Sequence, residues 1–269
     1  MSRIQSYFKS LKESNKKALI PFITAGDPHP SKTVKLMHAL VTSGADMIEL
    51  GIPFSDPIAD GPVIQRASER ALKNSVGITS TIKLAAEFRK ENKDTPVILM
   101  GYANPIEAIG IDNFIDLIND AGVDGVITVD YPPEESSVFV SKLRKYDIDS
   151  IFLLSPTTDD DRIKLIVDQA SGFLYYVSLK GVTGSANIDI QQVADRVKNI
   201  QKHTDLPIAV GFGVRDAKTA NEVALVSDAV VIGSRIVREI EDADPDNLIP
   251  KINSLMTEIK SAIDSKREK

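Results

Sequence analysis

Eight times along the chain a short apolar run of strand length gives way to a segment with helical periodicity, and this repetition constrains the fold more than any single motif. The runs are 18–25, 47–50, 95–100, 125–129, 150–154, 172–178, 206–214 and 229–234. Their apolar side chains are near-continuous rather than alternating, as in strands covered on both faces of a parallel sheet. Helical spacing follows over 31–43, 62–73, 78–91, 112–121, 134–145, 189–201, 216–224, 235–240 and 246–264. A further helix is expected after Pro156-Thr-Thr, where Thr158 and Asp161 fit a capping pair. Ile4, Phe8 and Leu11 recur at helical spacing ahead of the first strand. The loops leaving the second and sixth strands are long and rich in Gly, Pro, Ser and Thr, whereas the returning loops are short. That asymmetry predicts a (β/α)8 TIM barrel of the α/β class with an additional N-terminal helix, its site at the C-terminal strand ends. One domain over residues 1–269 is expected, since no linker interrupts the repeats. A doubly wound open sheet is the alternative, but no Gly-x-Gly-x-x-Gly follows the first strand.

Charge and cysteine content narrow the partners. A formal net charge of -6 gives no support for nucleic acid or an anionic membrane surface. It still allows a local basic pocket for a phosphorylated metabolite. The chain has no cysteine, which removes disulfides, thiolate metal sites and a cysteine nucleophile. His29, His38 and His203 are scattered and match no metal or triad spacing, so no metal is expected. No apolar run approaches a membrane span, and the first residues carry no apolar signal region. A soluble cytoplasmic enzyme or binding protein is the expected class.

One charge is out of place among the strands. Glu49 sits inside Met47-Ile-Glu-Leu, and a buried carboxylate without a partner is costly. It serves either a structural ion pair or proton handling. The next loop, Ile52-Pro-Phe-Ser-Asp-Pro-Ile-Ala-Asp-Gly-Pro, is shaped by its prolines and carries Asp56 and Asp60. A carboxylate on a strand end and a second on the adjoining loop can supply two proton-handling groups to one pocket. Turn capping is the competing role for the aspartates.

Three later exits converge on phosphate. Gly181-Val-Thr-Gly-Ser follows strand six, Gly211-Phe-Gly follows strand seven, and Gly233-Ser234 follows strand eight. These loops are neighbours in a barrel, and a short helix starting near Ser234 would turn its amides into the same space. Phe22, Met100, Tyr102, Ile127, Leu153, Tyr175 and Phe212 line the expected rim. They serve as barrel core or, collectively, as walls for a flat apolar substrate portion. No lysine falls inside a strand run, so no Schiff-base chemistry is indicated.

The ordered motifs are specific. They are Pro21-Phe-Ile-Thr-Ala-Gly-Asp-Pro, Ile48-Glu-Leu-Gly-Ile-Pro-Phe-Ser-Asp-Pro-Ile-Ala-Asp-Gly-Pro-Val-Ile-Gln, Met100-Gly-Tyr-Ala-Asn-Pro, Asp130-Tyr-Pro-Pro-Glu-Glu, Tyr175-Tyr-Val-Ser-Leu-Lys-Gly-Val-Thr-Gly and Val210-Gly-Phe-Gly-Val. Along essentially its whole length the chain resembles the alpha subunit family of tryptophan synthase. The resemblance implies a carbon–carbon lyase that cleaves indole-3-glycerol phosphate to indole and D-glyceraldehyde 3-phosphate. It also implies an alpha2beta2 complex in which indole passes to a beta subunit carrying pyridoxal phosphate, with no cofactor in this chain. By the same resemblance Glu49 is the general acid–base, Asp60 binds the indole nitrogen, and Tyr175 lies near the reacting carbons. Thr183 on a closing loop meets Asp60; Gly184, Gly213, Gly233 and Ser234 take the phosphate; Phe22, Met100, Ile127 and Phe212 enclose the indole. The partner surface it implies includes the strand-two loop around Pro53–Asp56, the exit loop around Asn104–Gly110 and the Asp130–Glu135 segment.

Lys180, Tyr131 and Arg235 depart from common family residues, and none removes a catalytic group. Three rival functions remain at this stage. A free-standing lyase would use the same residues, whereas a phosphate-sensing subunit gains nothing from burying Glu49. Indole-3-glycerol phosphate synthase would require strand lysines.

Overall fold

The structure is a computed structural model describing residues 1–177, 189–211, 213–244 and 246–265. Eight strands pair in chain order and close into a parallel barrel, the TIM barrel expected from the repeats. They are β1 (Ala18–Thr24), β2 (Ile48–Gly51), β3 (Val97–Gly101), β4 (Gly125–Thr128), β5 (Asp149–Leu154), β6 (Leu174–Val177), β7 (Ile208–Gly211) and β8 (Ala229–Ile232). The first half carries helices α1 (Arg3–Glu13), α2 (Pro30–Thr42), α3 (Pro62–Lys73), α4 (Ile78–Glu91), α5 (Ala103–Ile109) and α6 (Ile111–Asp120). The second carries α7 (Ser137–Lys145), α8 (Asp160–Gln169), α9 (Ile190–Ile200), α10 (Ala217–Ala224), α11 (Ser234–Asp242) and α12 (Leu248–Asp264). Among the described residues two helices follow each of β2, β3 and β8, so α3, α5 and α11 are additions on the C-terminal face. Among the described residues no helix is long and apolar enough to cross a membrane.

Two local expectations are corrected. Asn104–Gly110 reads as an exit loop, yet α5 begins at Ala103 and takes in most of it. Pro105 falls in the first turn, where amides lack intrahelical acceptors and a missing N–H costs nothing. The cap of α8 is Asp159, whose Oδ1 accepts from the Arg162 amide at 2.8 Å. Thr158 instead closes the preceding turn, its hydroxyl accepting from the Ser155 amide at 3.0 Å.

The added helix α1 seals the N-terminal end of the barrel. Its Ile4, Phe8 and Leu11 are buried in one cluster with the interior residues Ile20, Met47, Ile98 and Phe173. Gly125 makes room for this plug: a Cβ there would come within 2.9 Å of Ile4 Cδ1. Each such side chain contributes about 1.5–3 kcal/mol of burial.

Carboxylates fasten the same end. Asp46 Oδ2 accepts from the Leu19 amide of β1 at 2.7 Å and from Lys260 at 2.9 Å. Asp124 Oδ2 accepts from the Val97 amide of β3 and from Arg89, both at 2.8 Å, and its Oδ1 takes Arg3. Asp228 Oδ2 accepts from the Ile208 amide of β7 at 3.0 Å, and Asp149 accepts from Ser2. An aspartate ahead of one strand thus holds the first amides of its neighbour, satisfying donors the ladder leaves open.

Candidate active site

Strand parity decides what faces the interior at the open end. Phe22 pairs with Glu49 across β1 and β2, Met100 with Ile127 across β3 and β4, and Leu153 with Tyr175 across β5 and β6. These expected residues therefore all face the barrel interior.

Glu49 is fully buried, and neither carboxylate oxygen has a hydrogen-bond partner among the described residues. Among the described residues no structural ion pair holds it. Loss of hydration disfavours the ionised form and pushes the carboxyl up to about 8. Tyr175 is also buried, and its phenol is raised by the same desolvation and then by the Glu49 charge. Its ring edge lies over Gly211: a Cβ there would collide with the Tyr175 hydroxyl. Only glycine leaves that space.

Asp60 hangs in the loop between β2 and α3, half-buried. Burial raises its carboxyl, and the Tyr102 hydroxyl opposes this by donating to Oδ2 at 2.9 Å. The same hydroxyl accepts from the Ala59 amide at 3.1 Å, so Tyr102 fixes the loop as well as the carboxylate. Asp56 is separate, exposed and bonded by Ser55. Its position suits turn capping.

A narrow cavity lies beside Asp60 and Tyr102, lined also by Phe22, Thr24, Ser68 and Met100 among others; Glu49 and Tyr175 are not in its lining. Its volume is about 20 Å³, room for little more than one water. Phe22 narrows it by lying across Gly51, where a Cβ would come within 2.6 Å of Phe22 Cζ. Ile127, the register partner of Met100, is fully buried. Thr24 and Ser68, both buried, add hydroxyls to the cavity, and that of Thr24 has no partner among the described residues. Sequence patterns did not single out either hydroxyl.

The helix expected near Ser234 is α11. Its cap, Gly233, provides no side-chain hydrogen bond, so its first amides stand open behind an exposed Ser234. A Cβ at Gly233 would lie 3.4 Å from Phe22 Cβ, so this helix start adjoins the apolar cavity. Gly213, with φ 87°, turns the chain beyond β7 in a conformation favouring glycine. Arg235 pairs with Glu239 on the same helix. Thr183, Gly184, Phe212 and Lys180 lie outside the described residues.

No group of His, Asp or Glu side chains suited to a metal ion occurs among the described residues. His29 caps α2, its Nδ1 accepting from the Ser31 amide. His38 and His203 lie near Glu91 and Asp160.

Comparison with known proteins agrees with this architecture. The family described as tryptophan synthase alpha chain matches residues 8–264. The tryptophan synthase alpha chain of Herminiimonas arsenicoxydans is 58% identical over 264 residues, covering 98% of this chain and all of that one. The corresponding chain of Nitrosomonas europaea is 53% identical over 268 residues, with 100% and 98% covered. Among solved structures, tryptophan synthase subunit alpha from Legionella pneumophila str. Paris superposes with a TM-score of 0.92 at 43% identity, covering 98% and 99%. A chain of tryptophan synthase from M. tuberculosis in an aminoacrylate-bound form gives 0.87 at 31% identity, covering 98% and 100%. With the barrel, the isolated Glu49 and end-to-end identity at this level, the chain belongs to the tryptophan synthase alpha chain family and is a lyase of tryptophan biosynthesis.

Proposed function

We propose that this chain, acting as one barrel domain, cleaves indole-3-glycerol phosphate to indole and D-glyceraldehyde 3-phosphate by a retro-aldol reaction. Glu49 moves the protons and Asp60 steadies the indole nitrogen. The observation that carries the reading is Glu49 itself: a carboxyl with no partner among the described residues, buried at the open end of the barrel.

The chemistry follows from its protonation. With a carboxyl held up to about 8, Glu49 keeps its proton at neutral pH and can deliver it to indole C3. Protonated C3 leaves positive charge on the ring nitrogen, and the Asp60 carboxylate stabilises that charge electrostatically. The Glu49 carboxylate then removes the proton from the hydroxyl beside C3. The carbon–carbon bond breaks, its electrons return to the ring, and the former carbinol carbon becomes the aldehyde. One proton is given and one taken back, so the enzyme ends as it began. Tyr175, packed beside Glu49, keeps water from the carboxyl and borders the reacting carbons.

Phe22, Met100 and Ile127 enclose the indole, with Phe212 assigned by family resemblance. Phe22, which lies across Gly51, is the wall of this cavity that borders the indole. The phosphate sits on the open amides of α11 at Gly233 and Ser234, helped by Gly213. Gly184 belongs to that set, and Thr183 to the Asp60 side, by resemblance alone. Binding energy at the distant phosphate is thereby converted into alignment at C3.

The product indole passes to a beta subunit in an alpha2beta2 complex, where pyridoxal phosphate supplies the chemistry that joins indole to serine. The docking face includes Pro53–Asp56, Asn104–Gly110 and Asp130–Glu135. Two of these segments are already linked, the Tyr131 hydroxyl donating to Glu107 at 2.7 Å. Ile58, 86% exposed beside the third, is an apolar contact suited to burial there.

The experiment is indole release from indole-3-glycerol phosphate with and without an added beta subunit. A slow basal rate that rises by about tenfold or more fits the reading, since completing a site by closure acts on this scale. A rate indifferent to the beta subunit would assign the chain to free-standing cleavage, and no indole at all would refute the chemistry.

A further inference from the structure

Ion pairs away from the strand ends converge on one place. Asp27, in the turn after β1, is only 1% exposed and receives two arms of Arg70: Nε to Oδ1 at 2.7 Å and Nη2 to Oδ2 at 2.9 Å. The remaining Arg70 Nη1 donates to Glu241 Oε1 at 2.7 Å. Arg66, one turn earlier on α3, donates through Nε and Nη2 to the same Glu241, both at 2.7 Å. A planar guanidinium can face two carboxylates on different elements in this way; an ammonium cannot. Beneath the polar contacts, Val63 and Ala67 of α3 and Val237 of α11 pack with Phe22.

The clamp joins elements with different duties. Helix α3 starts directly after Asp60, capped by Gly61, and α11 starts at Gly233. Both are among the added helices of the C-terminal face, and neither belongs to the barrel's repeating unit. Their mutual position is not dictated by the strand ladder, so it needs its own fastening. Arg70 supplies it, while Asp27 refers both helices to the end of β1.

We propose that Arg70, with Asp27 and Glu241, is a positioning residue that fixes the separation between the Asp60 pocket and the α11 amides, so that one substrate can occupy both. This inference rests on the indole and phosphate placement proposed above. A molecule spanning two sites gains affinity only when their spacing matches its length, whereas a fragment in either site is indifferent to it.

The test compares three probes by calorimetry: indole, glycerol 3-phosphate, and an uncleavable analogue joining indole to phosphate through a three-carbon chain. In Arg70→Lys the spanning analogue weakens by about tenfold or more while each fragment stays within about twofold of the parent. Glu241→Gln, which leaves the Asp27 pair intact and cuts only the link to α11, gives the same pattern to a smaller degree. Thermal melts establish that both variants are folded. Equal losses for fragments and analogue, or no loss in either variant, would overturn the clamp as a positioning device. Parent protein that binds the analogue no better than glycerol 3-phosphate would overturn the underlying placement instead.

Discussion

At the N-terminal face Asp124 is held by Arg89, Arg3 and the Val97 amide, and Asp46 by Lys260 and the Leu19 amide. At the opposite face Glu49 is more deeply buried than either and has no such partner among the described residues. The chemical group is the same and the use is opposite. Surrounded by donors, a carboxylate ties backbone to helix. Stripped of them, it keeps a proton that can be lent. The lower face therefore spends its charges on stability, and the upper face leaves unsatisfied the carboxyl that the proposed reaction uses.

The sharpest break of this comparison is Glu49→Gln. It is expected to fold and to lower indole release by about 10³-fold or more, near the upper range for loss of a general acid–base. Release at a tenth of the parent rate from a folded variant would sink the assignment. Stability gives an independent check. The carboxyl rises from 4.5 to about 8 on folding, so between those values the unfolded chain loses a proton that the fold retains. Stability must then fall with rising pH across that window, by on the order of 5 kcal/mol for this group. Glutamine cannot ionise, so the variant gains on the parent from pH 4.5 to about 8 and no further. Chemical denaturation at several pH values reads the difference.

The reverse experiment is Asp124→Ala. Removing a fastener leaves Arg89 buried without its anion and is expected to cost about 3–5 kcal/mol. The turnover of the molecules that remain folded should be that of the parent. A turnover defect there would mean that the two faces are not functionally separate.

Smaller effects sharpen the upper face. Asp60→Asn is expected to reduce turnover by about 10²-fold, the scale of losing one electrostatic stabiliser. It should leave glycerol 3-phosphate affinity intact, and a large loss of that affinity would contradict its role. Tyr102→Phe removes the hydrogen bond that opposes the upward push on the Asp60 carboxyl. A three- to tenfold loss of about 1 kcal/mol is expected, with the acid limb of the rate profile moving to higher pH. An unmoved acid limb would separate Tyr102 from Asp60.

How much of this was legible depended on whether a signal was local. The strands were readable from unbroken apolar runs, and α1 from the spacing of Ile4, Phe8 and Leu11. Glu49 was readable because a single charge interrupts such a run. Helix α5 was hidden because Pro105 reads as a breaker unless its place in the first turn is known. Asp159 and Thr158 offer equivalent capping oxygens one residue apart, and only the neighbouring Ser155 turn decides between them. Tyr102 was visible as an aromatic on the rim, but its hold on Asp60 crosses 42 positions. The Arg70 and Glu241 pair crosses 171, and no periodicity carries information over that range.

The α1 plug has a practical consequence. Ser2 bonds Asp149 and Lys260 bonds Asp46, so both ends of the described chain are moored on the sealed side. A dye or tether placed beside Ser2 or Lys260 would pull on the closed floor and leave the mouth pointing away. The protein comes with its handles on the side where nothing has to pass.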